Sequence, residues 1–360
     1  MAEGIALVHS GFVWLAGVRD LQWRRRRFVI AVLGTSLVMA LTLLLTGYQA
    51  TFDNEIDRTV NIVRADGYLV PKGRPGPFLG GTPFPAEIAQ RATELPGITE
   101  VSPVILTGQV TDQAEHADIF LVGAQPGALG APIPKKGRAP EGPGDAVVDT
   151  KSGLKIDDTF GISGQRFTVV GTVSGQTYNG GRPTVFLTLA AAQRLMFAGQ
   201  PFVTTVAIKG TPTSLPDQVT YMDTADAKAD LKRPLLNTIE SISLFRTLLW
   251  IVAAALVGSV IYLSALERVG DFAVFKATGT ATGDLLGALI VQAIVLSVSA
   301  SVLAIGLAYL LRGMFPVQPI LPMRIQLVMP LVGLVIGVLA SFAALRRAVT
   351  VDPALAFGGH

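Results

Sequence analysis

Apolar positions gather in four long blocks along this chain. Phe28–Gly47, Thr247–Leu266, Leu285–Leu311 and Ile325–Leu345 contain no charged side chain and hold 20, 20, 27 and 21 residues. A helix needs about 20 residues to cross the hydrocarbon core. In lipid it satisfies its own backbone hydrogen bonds. The pattern therefore predicts four transmembrane helices, because a buried core helix could imitate one such block but not four. The second and third blocks are separated only by a short charged segment, residues 267–284. This leaves room for a hairpin and a compact helix at the membrane surface.

Between the first and second blocks the pattern changes. Phe52, Ile56, Val60 and Val63 recur at helical spacing within residues 48–64, predicting an amphipathic continuation of the first span. A similar stalk, residues 223–246, leads back into the second span, with Pro234 breaking or starting it. Residues 65–82, rich in Gly and Pro, read as strand and loop, and residues 85–95 as a short helix ending before Pro96-Gly97. Short strands follow at Val101–Gln109, Ile119–Gly123, Ala146–Asp149, Arg166–Ser174, Thr184–Leu187 and Thr204–Lys209, with a helix at Leu189–Phe197. Turn residues punctuate them. The region reads as a mixed α+β domain on two helical stalks, and roughly 200 residues are ample for burial to hold it together.

Composition agrees with a membrane class. Half of the 360 residues are hydrophobic and 15% are charged, with a mean hydropathy of +0.51. Lys and Arg near the span ends set the orientation. Arg19 and Arg24, Arg25, Arg26 and Arg27 precede the first span. Arg268 and Lys276 lie between the second and third, and Arg346 and Arg347 follow the fourth. The opposite loop, residues 312–324, has only Arg312 and Arg324. Both termini are expected in the cytoplasm and residues 48–246 outside, with the first span a retained anchor rather than a cleaved signal. The arginine run reads as a topology anchor near anionic headgroups. It abuts a span and has no aromatic stacking platform, which argues against nucleic acid.

Candidate chemistry is sparse. The chain has no cysteine, which excludes a disulfide framework, a thiolate zinc site and a cysteine nucleophile. His9, His116 and His360 are scattered, and no nucleophile elbow accompanies His116. Asp157-Asp158 lies in the turn-like KIDDTFG, and a calcium loop needs more oxygen ligands at fixed spacing. No metal site is expected. No GxxxxGK[ST] loop occurs, so any ATP must be hydrolysed by another subunit.

Four segments, in order, resemble the permease subunits of the FtsX/MacB class of ABC transporters, the type VII or mechanotransmission class. Ala265–Leu285, ALERVGDFAVFKATGTATGDL, is similar to the family's segment after the second span, and its aromatic version resembles the DevC branch. Ala340–Gly358 resembles the closing pattern, with Asp352, Pro353 and Ala354-Leu355 carrying the likeness. Ala16–Arg27 resembles the amphipathic opening. Ala146–Met196, with GQRFTVVGTVSG and PTVFLTLAAAQRLM, looks like the later half of a MacB-type outer domain.

The resemblance implies an α-helical membrane protein with four spans and a large α+β, MacB-like periplasmic core domain on helical stalks. Its order would be a cytoplasmic amphipathic segment 1–27, a span 28–47, the outer domain with stalks 48–246, a span 247–266, a coupling segment 267–284, a span 285–311, an outer loop 312–324, a span 325–345 and a cytoplasmic tail 346–360. It also implies a homodimer that binds two copies of a cytoplasmic ATPase. ATP and Mg would sit on that ATPase, with no cofactor on this chain. Glu267, Arg268, Asp271, Phe272, Phe275, Lys276 and Gly279 would contact it, with Phe272 and Phe275 as apolar anchors sharing a helical face. Membrane lipids and an extracytoplasmic adaptor or envelope protein are further implied partners. Two other readings stay open from sequence: a non-transporting, FtsX-like regulator of a cell-wall hydrolase, and a membrane sensor or scaffold with no ATPase.

Overall fold

A computed structural model describes residues 25–112, 117–178, 181–267, 282–315 and 318–350. It falls into two units: residues 52–238, which form the α+β domain, and the flanking segments, which form the membrane helices. Among the described residues, four helices are long and apolar enough to cross a membrane.

In the α+β domain one mixed sheet, in the order β13-β1-β12-β3-β4-β10-β6-β8-β5, forms the frame. Its strands are β1 (Gly67–Pro71), β3 (Ile98–Val110), β4 (Asp118–Ala124), β5 (Lys136–Gly137), β6 (Asp145–Asp149), β7 (Thr159–Ile162), β8 (Gln165–Val173), β9 (Thr177–Tyr178), β10 (Arg182–Thr188), β12 (Thr205–Gly210) and β13 (Val219–Asp223). β7 pairs with β8 and β9 with β10 off the main path, while β2 (Phe84–Pro85) and β11 (Phe202–Val203) pair separately. Most pairs are antiparallel, but β10 runs parallel to β4 and β6 parallel to β8.

Both faces of the sheet are covered, so its central strands are nearly continuous apolar runs rather than alternating ones. On one face Ile105, Leu121, Val148, Val185 and Leu187 pack under α2 (Glu87–Ala92) and α3 (Leu189–Phe197). On the other, Val104, Leu106, Phe120, Val122, Val147 and Phe186 meet the last turns of α1 (Arg25–Asn61) and α4 (Thr224–Lys232). The stalk pattern is realised here. Ile56, Val60 and Val63 are buried and Phe52 is half-buried. Asp53 and Asp57, on the flank of α1 next to this apolar stripe, pair with Lys232 and Lys228 of α4, at 2.7 and 2.8 Å. An aromatic group closes this core. Phe120 stacks on Tyr178 with ring centroids 4.0 Å apart, and the Tyr178 hydroxyl donates to the Phe78 carbonyl at 2.6 Å. Tyr68 packs edge-on to Phe78 and donates to the Val60 carbonyl at 2.8 Å. Burial pushes both tyrosine hydroxyls above their ordinary pKa.

Some details follow the sequence reading and others differ from it. The short helix expected over 85–95 is confined to α2. Residues 65–82 do supply a strand, β1, as read, and it is an inner one of the sheet. β7 and β13 were not expected at all. Pro234 does interrupt the second stalk, as its fixed φ and missing N–H predict. It sits in a 3-10 turn, Arg233–Leu235, joining α4 to α5 (Leu236–Leu266).

The membrane unit consists of the first part of α1 together with α5, α6 (Thr282–Leu311) and α7 (Met323–Thr350). Its interior uses small residues. Ala253, Val257, Ile261 and Ser264 of α5 are buried at helical spacing. Ala293, Ser297, Ala300, Ala304 and Ala308 of α6 form a second buried line. Outward-facing positions are large and apolar, among them Leu33, Leu37 and Leu41 of α1 and Leu331, Val335 and Leu339 of α7. A lipid-solvated bundle has no hydrophobic drive to bring its helices together, so it relies on such close small-residue contacts.

Candidate functional site

The candidate site is the segment that joins α5 to α6, within residues 267–284. Glu267 is exposed in a turn at the end of α5, its N–H donating to the Leu263 carbonyl at 3.1 Å. Arg268, Asp271, Phe272, Phe275, Lys276 and Gly279 lie outside the described residues. α6 begins at Thr282, so the segment links the ends of two antiparallel membrane helices. Of the anchoring arginines, Arg25, Arg26 and Arg27 form the first turn of α1, and Arg26 is exposed. Arg346 and Arg347 lie on the last turns of α7. Arg24 lies outside the described residues.

At the opposite end of the unit the helices are tied by specific polar contacts. The Thr51 hydroxyl donates to the Gly47 carbonyl at 2.8 Å and accepts from the Ile320 N–H at 2.9 Å. A Cβ on Gly47 would lie 2.4 Å from the Ile320 carbonyl oxygen, so only glycine lets the outer loop approach this closely. The Arg246 guanidinium of α5 donates to the Gln49 side chain at 2.9 Å, and Tyr48 packs on Phe315 with centroids 6.3 Å apart. The loop after α6 therefore sits beside residues 47–51 of α1.

Within the bundle, the glycine pair four apart on the fourth span serves packing. A Cβ on Gly333 would lie 3.0 Å from the Ser297 Cβ, and one on Gly337 would lie 2.6 Å from the Ala293 Cβ. Ser297 and Ser301 are buried in the same seam, and Ser299 is half-buried. A contact that the sequence reading passed over joins α6 to α5: Gln292 donates to the Ser264 hydroxyl at 2.8 Å, buried on both sides. The signal was present, since Gln292 is the only amide side chain in Leu285–Leu311. A lone amide in a span needs an interhelical partner.

Carboxylates of the α+β domain hold backbone in place. Asp149, wholly buried, accepts from the N–H groups of Lys151 and Gln176 at 2.9 and 2.7 Å. Asp230 accepts from the Gly76 N–H at 2.7 Å. The buried Glu55 of α1 accepts from the Thr177 hydroxyl at 2.8 Å. Asp145 bonds the Arg138 guanidinium at 2.6 Å together with the Glu141 and Gly142 N–H groups. Arg138 first, and those two N–H groups after it, lower its pKa to about 2. Asp157-Asp158 does form a turn, with Asp157 left-handed at φ 76° and Asp158 accepting from the Lys155 N–H at 2.7 Å. His9, His116 and His360 lie outside the described residues.

Known proteins match this architecture along its length. Residues 29–221 fit the profile of the MacB-like periplasmic core domain. Residues 243–353 fit that of the FtsX-like permease C-terminal region. An uncharacterised ABC transporter permease of Mycobacterium bovis is 41% identical over 345 residues, covering 96% of this chain and 99% of its own. Another, of Mycobacterium tuberculosis, is 40% identical with the same coverage. The chain belongs to the FtsX/MacB-like family of ABC transporter permeases. It is a multi-pass protein of the inner membrane whose α+β domain lies outside. Among solved structures, the periplasmic region of MacB from Actinobacillus actinomycetemcomitans is 12% identical, covering 49% of this chain and 97% of its own at a TM-score of 0.34.

Proposed function

We propose that this chain is the non-catalytic transmembrane subunit of an ABC transporter complex. Two copies of a separate cytoplasmic ATPase hydrolyse ATP. Two copies of this chain convert the resulting closure into motion of their outer domains, for export or envelope transport. The observation that carries this reading is the full-length relationship to proteins named as ABC transporter permeases. It is supported by the absence of a phosphate-cradling GxxxxGK[ST] loop from the sequence, which leaves hydrolysis to a partner. The charge-free interiors of the four blocks agree as well, since a polar substrate path through the bundle would need polar or ionisable groups there.

Residues 267–284 are the proposed docking element. Phe272 and Phe275, three apart, would share one helical face and enter a groove of the ATPase. Glu267, Arg268, Asp271 and Lys276 would lie around them as rim charges that set orientation, and Gly279 would be a further contact of the element. Arg24–Arg27, Arg346 and Arg347 would hold the same face of the membrane unit in the cytoplasm.

Co-expression with a candidate ABC ATPase from the same genome, followed by purification through a tag on this chain, tests the reading. The ATPase is expected to co-elute and its hydrolysis to depend on this chain. Recovery of the chain alone, folded and in the membrane, would favour a sensor or scaffold instead.

A further inference from the structure

The outer ends of α6 and α7 carry a feature that coupling does not use. From Leu285 to Val351 the chain has no acidic residue, yet the loop between these helices holds Arg312 and Arg324. On this side of the membrane basic residues work against the orientation that the cytoplasmic arginines set. Both are exposed, and among the described residues neither is joined to a carboxylate.

Arg312 is nonetheless held in place. Its guanidinium carbon lies 5.0 Å from the centroid of the Tyr309 ring. That ring is fixed from the neighbouring helix, since Gln326 of α7 donates to the Tyr309 hydroxyl at 3.3 Å and to the Leu321 carbonyl at 3.1 Å. Stacking on an aromatic face orients a guanidinium and leaves its N–H fork free for a planar or phosphate oxygen pair. Directly toward the membrane, α6 exposes Val302 and Leu310, 66% and 74% accessible. Between them stands Gly306, where a Cβ would meet nothing within 4 Å. Positions 302, 306 and 310 share one helical face. The glycine thus makes a notch in the lipid-facing surface six residues, nearly two helical turns, before the arginine.

We propose that this arrangement binds one anionic glycerophospholipid of the outer leaflet. Its phosphate would lie on Arg312, with Arg324 adding positive field, and one acyl chain would lie along Val302, Gly306 and Leu310. A general interfacial anchor would accept any lipid headgroup. Two arginines without a counter-charge favour a headgroup with a net negative charge over a zwitterionic one.

The test uses the full chain in nanodiscs of phosphatidylcholine containing a trace of diazirine-tailed phosphatidylglycerol or, in parallel, diazirine-tailed phosphatidylcholine. Peptide mass mapping after irradiation is expected to show phosphatidylglycerol on Val302–Leu310 several-fold above phosphatidylcholine. R312Q should remove that excess, and R312K, which keeps the charge but not the stacked guanidinium fork, should keep part of it. Equal labelling by the two lipids, an unchanged excess in R312Q, or a loss in R312K as large as in R312Q would each overturn the proposal.

Discussion

Gly337 of α7 faces Ala293 of α6 so closely that a Cβ on the glycine would stand 2.6 Å from the alanine Cβ. One turn away, Gly333 faces Ser297 in the same way, and together they fix the approach of two membrane helices. Replacing Gly337 with Leu should push α6 and α7 apart at a cost of about 1–3 kcal/mol, the usual penalty of overpacking a filled core. Reversible SDS unfolding of the purified chain would measure this. The same change at Gly306, where a Cβ meets nothing, should cost far less.

The fully buried Asp149 ties the start of a short 3-10 turn to the Gln176 backbone. Asp149→Ala would leave two N–H groups unsatisfied, at about 1–3 kcal/mol for each buried group. Thermal unfolding of the outer domain, followed in the full-length protein by near-ultraviolet circular dichroism, should shift down clearly. Asp149→Asn keeps one acceptor and should fall between the two.

Asp145 gives the domain a local acid sensitivity. Its folded pKa, lowered to about 2 chiefly by Arg138, lies below the unfolded carboxylate value. The stabilisation is therefore present above the unfolded pKa and is lost as pH falls from about 4 towards about 2. A spin label at Pro143→Cys should become mobile across that window. With Asp145→Asn added, mobility should be high throughout and independent of pH there.

Orientation can be read chemically because the chain has no native cysteine. Single cysteines at Gln125 and Gly279 should react oppositely with an impermeant reagent in intact cells, Gln125 from outside and Gly279 only after lysis. Outside labelling of Gly279 would reverse the topology.

Much of the fold was legible because local signals agreed with tertiary need. The helix expected at Leu189–Phe197 is observed with those bounds. Thr188 caps it by accepting the Ala191 N–H at 3.2 Å, and Ala198-Gly199 leaves it in the left-handed region. The membrane blocks were legible for a simpler reason, since charge-free runs of that length have few other solutions. What escaped depended on long-range pairing. β13 is a five-residue edge strand of mixed exposure, recognisable only once it pairs with β1. β7 was masked by the Asp157-Asp158 turn before it. Its hairpin signal, Ser163-Gly164 with φ of 46° and 80°, was present but went unused. The site was legible differently again. Its limits, 267–284, were drawn from charge alone; α5 ends at Leu266, but α6 already begins at Thr282. The Gln292–Ser264 bond needed two helices to be brought together before it had meaning.

The central claim, that residues 267–284 dock an ATPase, is tested most directly by replacing Phe272 and Phe275 together with Ala. If both anchor in a groove, each contributes roughly 2 kcal/mol or more to binding. ATPase co-purification should then fall by more than tenfold, while membrane insertion and the folded yield of the outer domain stay at wild-type levels. Charge reversal at Asp271 or Lys276 should lower recovery less, because rim charges steer orientation more than they supply affinity. Undiminished ATPase recovery with the double-alanine chain would contradict the account and leave this segment only a topological role.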